Sequence, residues 1–369
     1  MHVLHVGVDP CRDGGMASVV QRHLSRNLEG VTCAPLPAIN QNETNLWRRY
    51  RPALSAAWVV LTRQPSKDLV FHFHLSERGS LLREGGLAVL AHIRGHRGSV
   101  ATLHGSGTLT MGIAQRFVLG KVLARCAVVH VLSSRHAEAL ASVAAPLVLI
   151  PNDVELPDSV LSASARNRTV LFAGELGLRK GLDLLLATWP RVASEGWTLE
   201  LCGPEAAGEA SMVQGLFLHD RTVHVRGRLD HEAILASMST AAIVVLPSRA
   251  EALPMSLCEA MAAGCAIVAT DVGGTCDLLG RDNPYLIASG DKKALEEALV
   301  ALVNDPEERE RQGVANRKRA EVLFSPPAIA QAWMRVYANS QTGQASSPMV
   351  PRPESFPPAP RQGKRGIGA

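Results

Sequence analysis

Aromatic residues make up only 4% of this 369-residue chain, and its basic residues form no arginine-rich run. The stacking platforms and charge stripes of a nucleic-acid binder are therefore missing. None of the seven cysteines forms a Cys-x-x-Cys pair. Cys258 and Cys265 lie in an alanine-rich apolar stretch, where buried free thiols are the ordinary outcome. No stretch approaches the roughly 20 apolar residues that span a bilayer. Met1–Val8 is not a basic segment feeding a long apolar one, so no signal peptide is expected. An Asp-x-Asp pair, which would suggest a bridging divalent cation, occurs nowhere. No Gly-x-Gly-x-x-Gly follows the first strand candidate, which argues against a dehydrogenase. The expectation is a cytoplasmic protein with no bound metal and no cofactor.

What is present describes a globular chain, 46% hydrophobic and 20% charged, long enough for two domains. The net charge of +4 hides an asymmetry. Residues 1–150 hold 16 Lys/Arg against 8 Asp/Glu, whereas residues 151–340 hold 18 against 25. A basic first half can face anionic lipid, an acidic acceptor or nucleic acid, and the last ranks lowest.

Short apolar strands alternate with helical patterns along the chain. His2–Val8 reads as a buried strand, followed by a glycine loop and a helix from Met16 to about Leu28. Further strands are read at Asp68–His74, Ser99–Leu103, Val128–Leu132 and Leu147–Ile150, with helices at Ser80–Arg94 and Ser134–Val143. Polar, period-free residues 152–168 read as a linker. The rhythm resumes with strands Thr169–Ala173, Trp197–Cys202, Thr222–Arg226, Ala242–Pro247 and Ala266–Thr270. Helices are expected at Gly181–Thr188, Asp230–Met238, Met255–Ala263 and Lys292–Val303. The fold class is α/β, with two Rossmann-like, doubly wound lobes (residues 1–151 and 169–325) and ligands at the strand C-termini, facing a central cleft. A helix is expected over residues 326–340, and a disordered tail over residues 341–369.

Leu246–Thr270 carries the most chemistry. A strand ends near Pro247, a loop holds Glu251, and a helix begins near Pro254 with Glu259 inside it. Proline suits a first helical turn because its missing N–H has no intrahelical partner there. The backbone N–H groups around Leu253–Ser256, a stretch that includes Pro254 and Met255, then form a seat for a diphosphate. Glu259, among Cys258, Ala260 and Met261, is placed to accept two hydrogen bonds from a ribose diol, since an unpaired buried carboxylate is costly. Glu251 reaches further out, towards whatever the diphosphate carries.

The Glu-x7-Glu spacing, the AMAAG helix and the following strand ending VGG resemble the retaining glycosyltransferases of the GT-B fold. Most of residues 1–340 share the likeness: the Gly14-Gly15 loop, VVHVLSSRHAEAL, PNDVEL, LFAGELGLRKGLDLLL and the Glu251…Glu259 pair. The resemblance implies transfer of a sugar from a nucleoside diphosphate, the co-substrate, to an acceptor hydroxyl with retained anomeric configuration. It implies that Glu259 binds the ribose and that Glu251 approaches the donor sugar. It brings Gly14 and Gly15 close to the donor phosphate and makes Lys180 the neutraliser of the departing diphosphate. His104, in Leu103-His104-Gly105-Ser106-Gly107, resembles the family's histidine near the donor sugar. One departure stands out: Glu175 occupies the place where the family commonly has arginine. Either Glu175 points away or Arg179 supplies the missing charge.

FHFHLSERGSLLRE and TLHGSG resemble exopolysaccharide-assembly transferases, so the implied acceptor is a glycan or a lipid-linked oligosaccharide. A non-catalytic nucleotide-sugar-binding homologue and a sugar-nucleotide epimerase are the competing readings. His72 and His74 share one strand face but have no third metal ligand at helical spacing, which favours packing. Asn45–Leu61 mixes arginines with Trp47, Tyr50 and Trp58. Two readings of it stay open: peripheral contact with the inner membrane face, or an ordinary packed helix.

Overall fold

The computed structural model describes residues 1–11, 15–40, 43–76, 78–107, 111–206, 208 and 220–342. Gly14 and the tail from residue 343 lie outside them. In chain order the first part runs β1 (His2–Val8), α1 (Gly15–Ser25), β2 (Thr32–Ile39), α2 (Leu46–Thr62), β3 (Leu69–Leu75), α3 (Arg78–Ile93) and β4 (Val100–Leu103). It continues with α4 (Ile113–Leu123), β5 (Val128–Val131), α5 (Ser134–Ala139) and β6 (Leu147–Leu149). The second part runs β7 (Asn167–Ala173), α6 (Leu182–Val192), β8 (Thr198–Cys202), β9 (Val223–Gly227), α7 (His231–Thr240) and β10 (Ala241–Leu246). After these come α8 (Met255–Ala262), β11 (Ala266–Thr270), α9 (Thr275–Leu279), β12 (Leu286–Ile287), α10 (Lys292–Asn304) and α11 (Pro306–Leu323). The last helix, α12 (Pro326–Thr342), extends two residues into the stretch expected to be tail.

These elements form two units, Met1–Asp153 with residues 324–342, and Val154–Leu323. Each contains one six-stranded sheet, ordered β2-β1-β3-β4-β5-β6 in the first and β12-β11-β10-β7-β8-β9 in the second. Every strand pair is parallel. Parallel sheets need crossover connections and cover on both faces, which is why their strands read as nearly continuous apolar runs. β2 carries Pro35 and Pro37 and escaped the sequence reading. It is an edge strand, where a missing N–H does no harm to a central ladder.

In the first unit one sheet face presents Val6, Phe71, Phe73, Leu75, Leu103 and Val131 to a core shared with α2, α3 and α4. The opposite face presents Val3, Val70, Val100, Val128 and Val148, and α12 covers it with Ile329, Trp333, Val336 and Tyr337. The last helix among the described residues thus completes the first unit. Two residues further along these strands the same face turns polar: His5, His72, Thr102 and His130 follow the valines, and His74 lies one step beyond His72. All five are buried.

In the second unit β10 and β11 are buried along their whole length. Arg166, at the end of the polar stretch 152–168, is itself buried. It donates to the carbonyls of Met238, Ala241 and Ala263, so this stretch ends as part of the second unit's packing. Among the described residues no helix is long and apolar enough to cross a membrane.

Candidate functional site

The loop from β10 to α8 is held from three sides. Thr270 Oγ1 donates to the Ser248 carbonyl at 2.5 Å, and the Gly274 N–H donates to the Ala252 carbonyl at 2.8 Å. Gly273, at φ +53°, lies flat against the Glu251 carbonyl, where a Cβ would collide. The Val272-Gly273-Gly274 turn therefore shapes the Glu251 loop. Glu251 is 6% exposed, and its Oε1 accepts from Lys180 Nζ and from Ser248 Oγ, each at 2.6 Å. Ser248 was not singled out in the sequence. It is a buried hydroxyl three residues before Glu251, and it fixes the carboxylate.

Lys180 ends a short 3-10 turn, Leu178–Lys180, and Gly181 follows at φ +73°. A Cβ at Gly181 would meet the Pro247 carbonyl, so glycine here lets the turn press against the end of β10. Arg249 ties the same two segments together. Its N–H donates to the Arg179 carbonyl, and its guanidinium takes both Asp183 oxygens at 2.7 and 2.8 Å. That hydrogen-bonded pairing holds the Asp183 carboxyl below the usual range. Lys180 and Glu251, 71 residues apart, thereby meet in a nearly buried ion pair.

The departure at Glu175 has a local answer. Arg179 and Glu175 pair with each other at 3.1 Å, four residues apart, with both side chains about half exposed. Glu259 sits on α8, 8% exposed, with His231 Nδ1 3.9 Å from its Oε1. Pro254 is the N-cap of α8 and supplies no side-chain cap; Leu253 precedes it and Met255 opens the helix. At the other end the carbonyls of Ala262, Ala263 and Cys265 accept from Arg317, Arg166 and Asn316. Cationic and amide donors there complement the negative helix end.

The first unit brings together a different set. His104 follows β4 and is half-buried, with its N–H on the Leu75 carbonyl at 2.8 Å. Gly15 opens α1. His104 Nε2 lies 2.8 Å from His74 Nδ1, and His74 Nε2 lies 2.9 Å from His5 Nδ1. A second chain runs beside it. His130 Nε2–H donates to the Ile150 carbonyl at 2.7 Å, which leaves His130 Nδ1 to accept from Thr102 Oγ1 at 2.9 Å. Thr102 in turn accepts from His72 Nε2–H at 2.7 Å, and His72 Nδ1 accepts from the Tyr337 hydroxyl at 3.0 Å. The carbonyl at one end fixes every donor in this chain.

Burial holds these imidazoles neutral. It lowers His5 and His104 to about 3 and His130 to about 4, and takes His72 and His74 well below the usual value. Sheet register, rather than helical spacing, supplies the third histidine that the sequence reading found missing. His5 pairs with His72 across β1 and β3, and His5, His72 and His74 place ligand atoms within 4.8 Å of one another. His72 already spends both ring nitrogens on Tyr337 and Thr102, so the arrangement reads as hydrogen-bonded chains.

Comparison with known proteins places this architecture. The family model described as "Glycosyl transferases group 1" matches residues 167–305, which span β7 to the end of α10. Phosphatidyl-myo-inositol mannosyltransferase of Mycobacterium leprae is 34% identical over 261 residues, covering 66% of this chain and 67% of that protein. Among solved structures, sucrose-phosphate synthase from Thermosynechococcus elongatus superposes with a TM-score of 0.77 at 20% identity, over 93% of this chain and 100% of that one. HepE of Anabaena, in complex with UDP and glucose, gives a TM-score of 0.70 at 15% identity over 92% and 100%. At such identities the structural likeness speaks for the fold, and the mannosyltransferase match speaks for the family. The chain belongs to the group 1 glycosyl transferases and is built from two Rossmann-like lobes of the GT-B type.

Proposed function

We propose that this protein transfers a sugar from a nucleoside diphosphate to an acceptor hydroxyl, with the anomeric configuration of the donor retained. The observation that carries the proposal is the pairing of Lys180 with Glu251, which lies on the loop that leads into α8, the helix that bears Glu259. A cation, an N-terminus without a side-chain cap and an acceptor for a diol are the parts a nucleoside diphosphate needs. Glu259 holds the ribose, and the start of α8 at Leu253, Pro254 and Met255 holds the diphosphate. Lys180 balances the charge that builds on the leaving diphosphate, with Arg179 as a second cation. Once Lys180 turns to phosphate, Glu251 is released to organise the donor sugar. The mannosyltransferase relative and the UDP and glucose bound to HepE support this reading. The test is product analysis by proton NMR after incubation with UDP-, GDP- and ADP-sugars. An anomeric configuration matching the donor's is expected, and an inverted product would overturn retention. With charge supplied by Lys180 and helix ends, transfer is expected to continue within about twofold in excess chelator.

For the acceptor we propose a glycan or lipid-linked oligosaccharide of surface polysaccharide assembly, met at the cytoplasmic membrane face. On α2, Trp47, Tyr50, Leu54, Trp58 and Leu61 form one exposed stripe at helical spacing, with Trp47 67% and Trp58 66% exposed. Arg48, Arg49 and Arg51 flank it. An exposed aromatic stripe beside arginines suits an anionic interface. Binding to anionic liposomes should fall steeply between 50 and 500 mM salt, on the order of tenfold, as the Debye length shrinks. Trp47→Ser with Trp58→Ser should reduce it further. Equal partition to neutral liposomes would overturn the proposal.

A further inference from the structure

The two histidine chains of the first unit differ at their far ends. The chain through His72 and His130 finishes on a carbonyl, which can only accept, and every proton in it is placed by that fact. The chain His104–His74–His5 finishes on His5 Nε2, a buried nitrogen with no partner among the described residues. A neutral imidazole carries one proton, so the three rings have two consistent arrangements. If His104 Nε2–H donates to His74, then His74 donates to His5, and His5 is left with a buried N–H that meets nothing. If the direction reverses, His5 Nδ1–H donates to His74 and His74 Nδ1–H donates to His104. The atom left without a partner is then only a lone pair. Orphaned buried N–H groups are the rarer case in folded proteins, and leaving a buried donor unmade is costly. The reversed direction wins. It places the remaining proton on His104 Nδ1.

We propose that His5 and His74 are positioning residues that fix His104 as a hydrogen-bond donor through Nδ1, to be met by an acceptor oxygen of the sugar nucleotide, a hydroxyl or phosphate oxygen. This rests on the glycosyl-transfer reading above and sharpens it: His104 offers a proton in a hydrogen bond and does not act as a base. The packing is built for the chain. Gly7, two residues after His5 on the same strand face, lies so close to β3 that a Cβ there would stand 3.1 Å from the His74 Cβ. His5 and His74 are 1% and 0% exposed, so water does not reach them to substitute for either partner.

The test is a two-bond proton–nitrogen spectrum of the ligand-free protein labelled with 15N-histidine, with His104 assigned by its loss in His104→Asn. The expected result is a protonated Nδ1 and a bare Nε2 on both His74 and His104. A His104 protonated at Nε2 overturns the proposal. Stoichiometric zinc in the purified protein overturns it too, because a metal would take the lone pairs of His5, His72 and His74. In the kinetic arm, His74→Leu should lower kcat/KM for the sugar nucleotide about tenfold. His74→Asn, whose amide nitrogen can stand where Nδ1 stands, should restore most of that loss. Should His74→Leu fail to fold, the wild-type spectrum still decides. The Nδ1-protonated spectrum together with no turnover of any sugar nucleotide would leave the chain standing and remove the glycosyl-transfer reading instead.

Discussion

At the scale of single residues, Lys180 and Arg179 stand side by side but are differently engaged. Lys180 is nearly buried against Glu251, while Arg179 is half exposed and paired with Glu175. Exposed pairs are weak, and the Glu175 carboxylate already offsets much of the charge Arg179 brings. Lys180→Ala is therefore expected to slow single-turnover transfer about a hundredfold or more, in line with the loss of one preorganised donor. Arg179→Ala should cost roughly threefold, and Glu175→Gln should raise the rate by freeing the guanidinium. Equal losses from the two alanine variants would mean that Arg179 leaves Glu175 for the phosphate. The carboxylates and Lys180 were legible in the sequence because their surroundings are unusual: an acid inside an apolar helix, a lysine before a glycine. Ser248 and His5 were not. A serine beside a strand end is commonplace, and the partner of His5 depends on strand register, which composition does not reveal.

At the scale of elements, the longest helix missed has a physical cause. α11 is 18 residues long and escaped the sequence reading because no apolar stripe runs along it. It is held largely by polar groups reaching the carbonyls at the end of α8, from Asn316 and Arg317. Gly313 lets its backbone pass over Gly264, where a Cβ would strike the Gly264 carbonyl. Periodicity finds helices that dock by burying oil, and α11 docks by capping another helix. Gly313→Leu should force the two helices apart at a cost of about 1–3 kcal/mol. For a unit of this size that is a melting temperature lower by roughly 2–12 °C, read by calorimetry. An unchanged melting temperature would show that α11 rides clear of α8. The strands were easier to read: β1 and β11 match their expected bounds residue for residue, because buried parallel strands announce themselves as apolar runs.

At the scale of the whole molecule, the buried histidines couple folding to pH. His5, His23, His72, His74 and His130 are all at most 3% exposed, and burial depresses each of them. The Arg26 guanidinium adds to this at His5, His23, His72 and His130. In the unfolded chain these rings take up protons near pH 6.5, whereas the native rings stay neutral to much lower pH. Over that window the unfolded state binds more protons, so stability is full above pH 6.5 and is lost as pH falls. Each ring contributes at most about 1.4 kcal/mol per pH unit. The urea midpoint should therefore drop sharply between pH 7.5 and 5.5, and a flat profile would contradict the buried, neutral row.

The cover over that row also sets a schedule. Trp333 and Tyr337, which close over the histidine face, belong to a helix 265 residues beyond His72 in one of its contacts. The second unit is one continuous stretch, 154–323, and can complete its core as soon as it leaves the ribosome. The first unit cannot. At about 5–20 residues per second, the 170 residues in between take on the order of ten to thirty seconds to make. Through that interval four strands hold an unsheltered polar seam, open to water and to other chains. Of the two units, the one that is synthesised earlier is the one that is finished later.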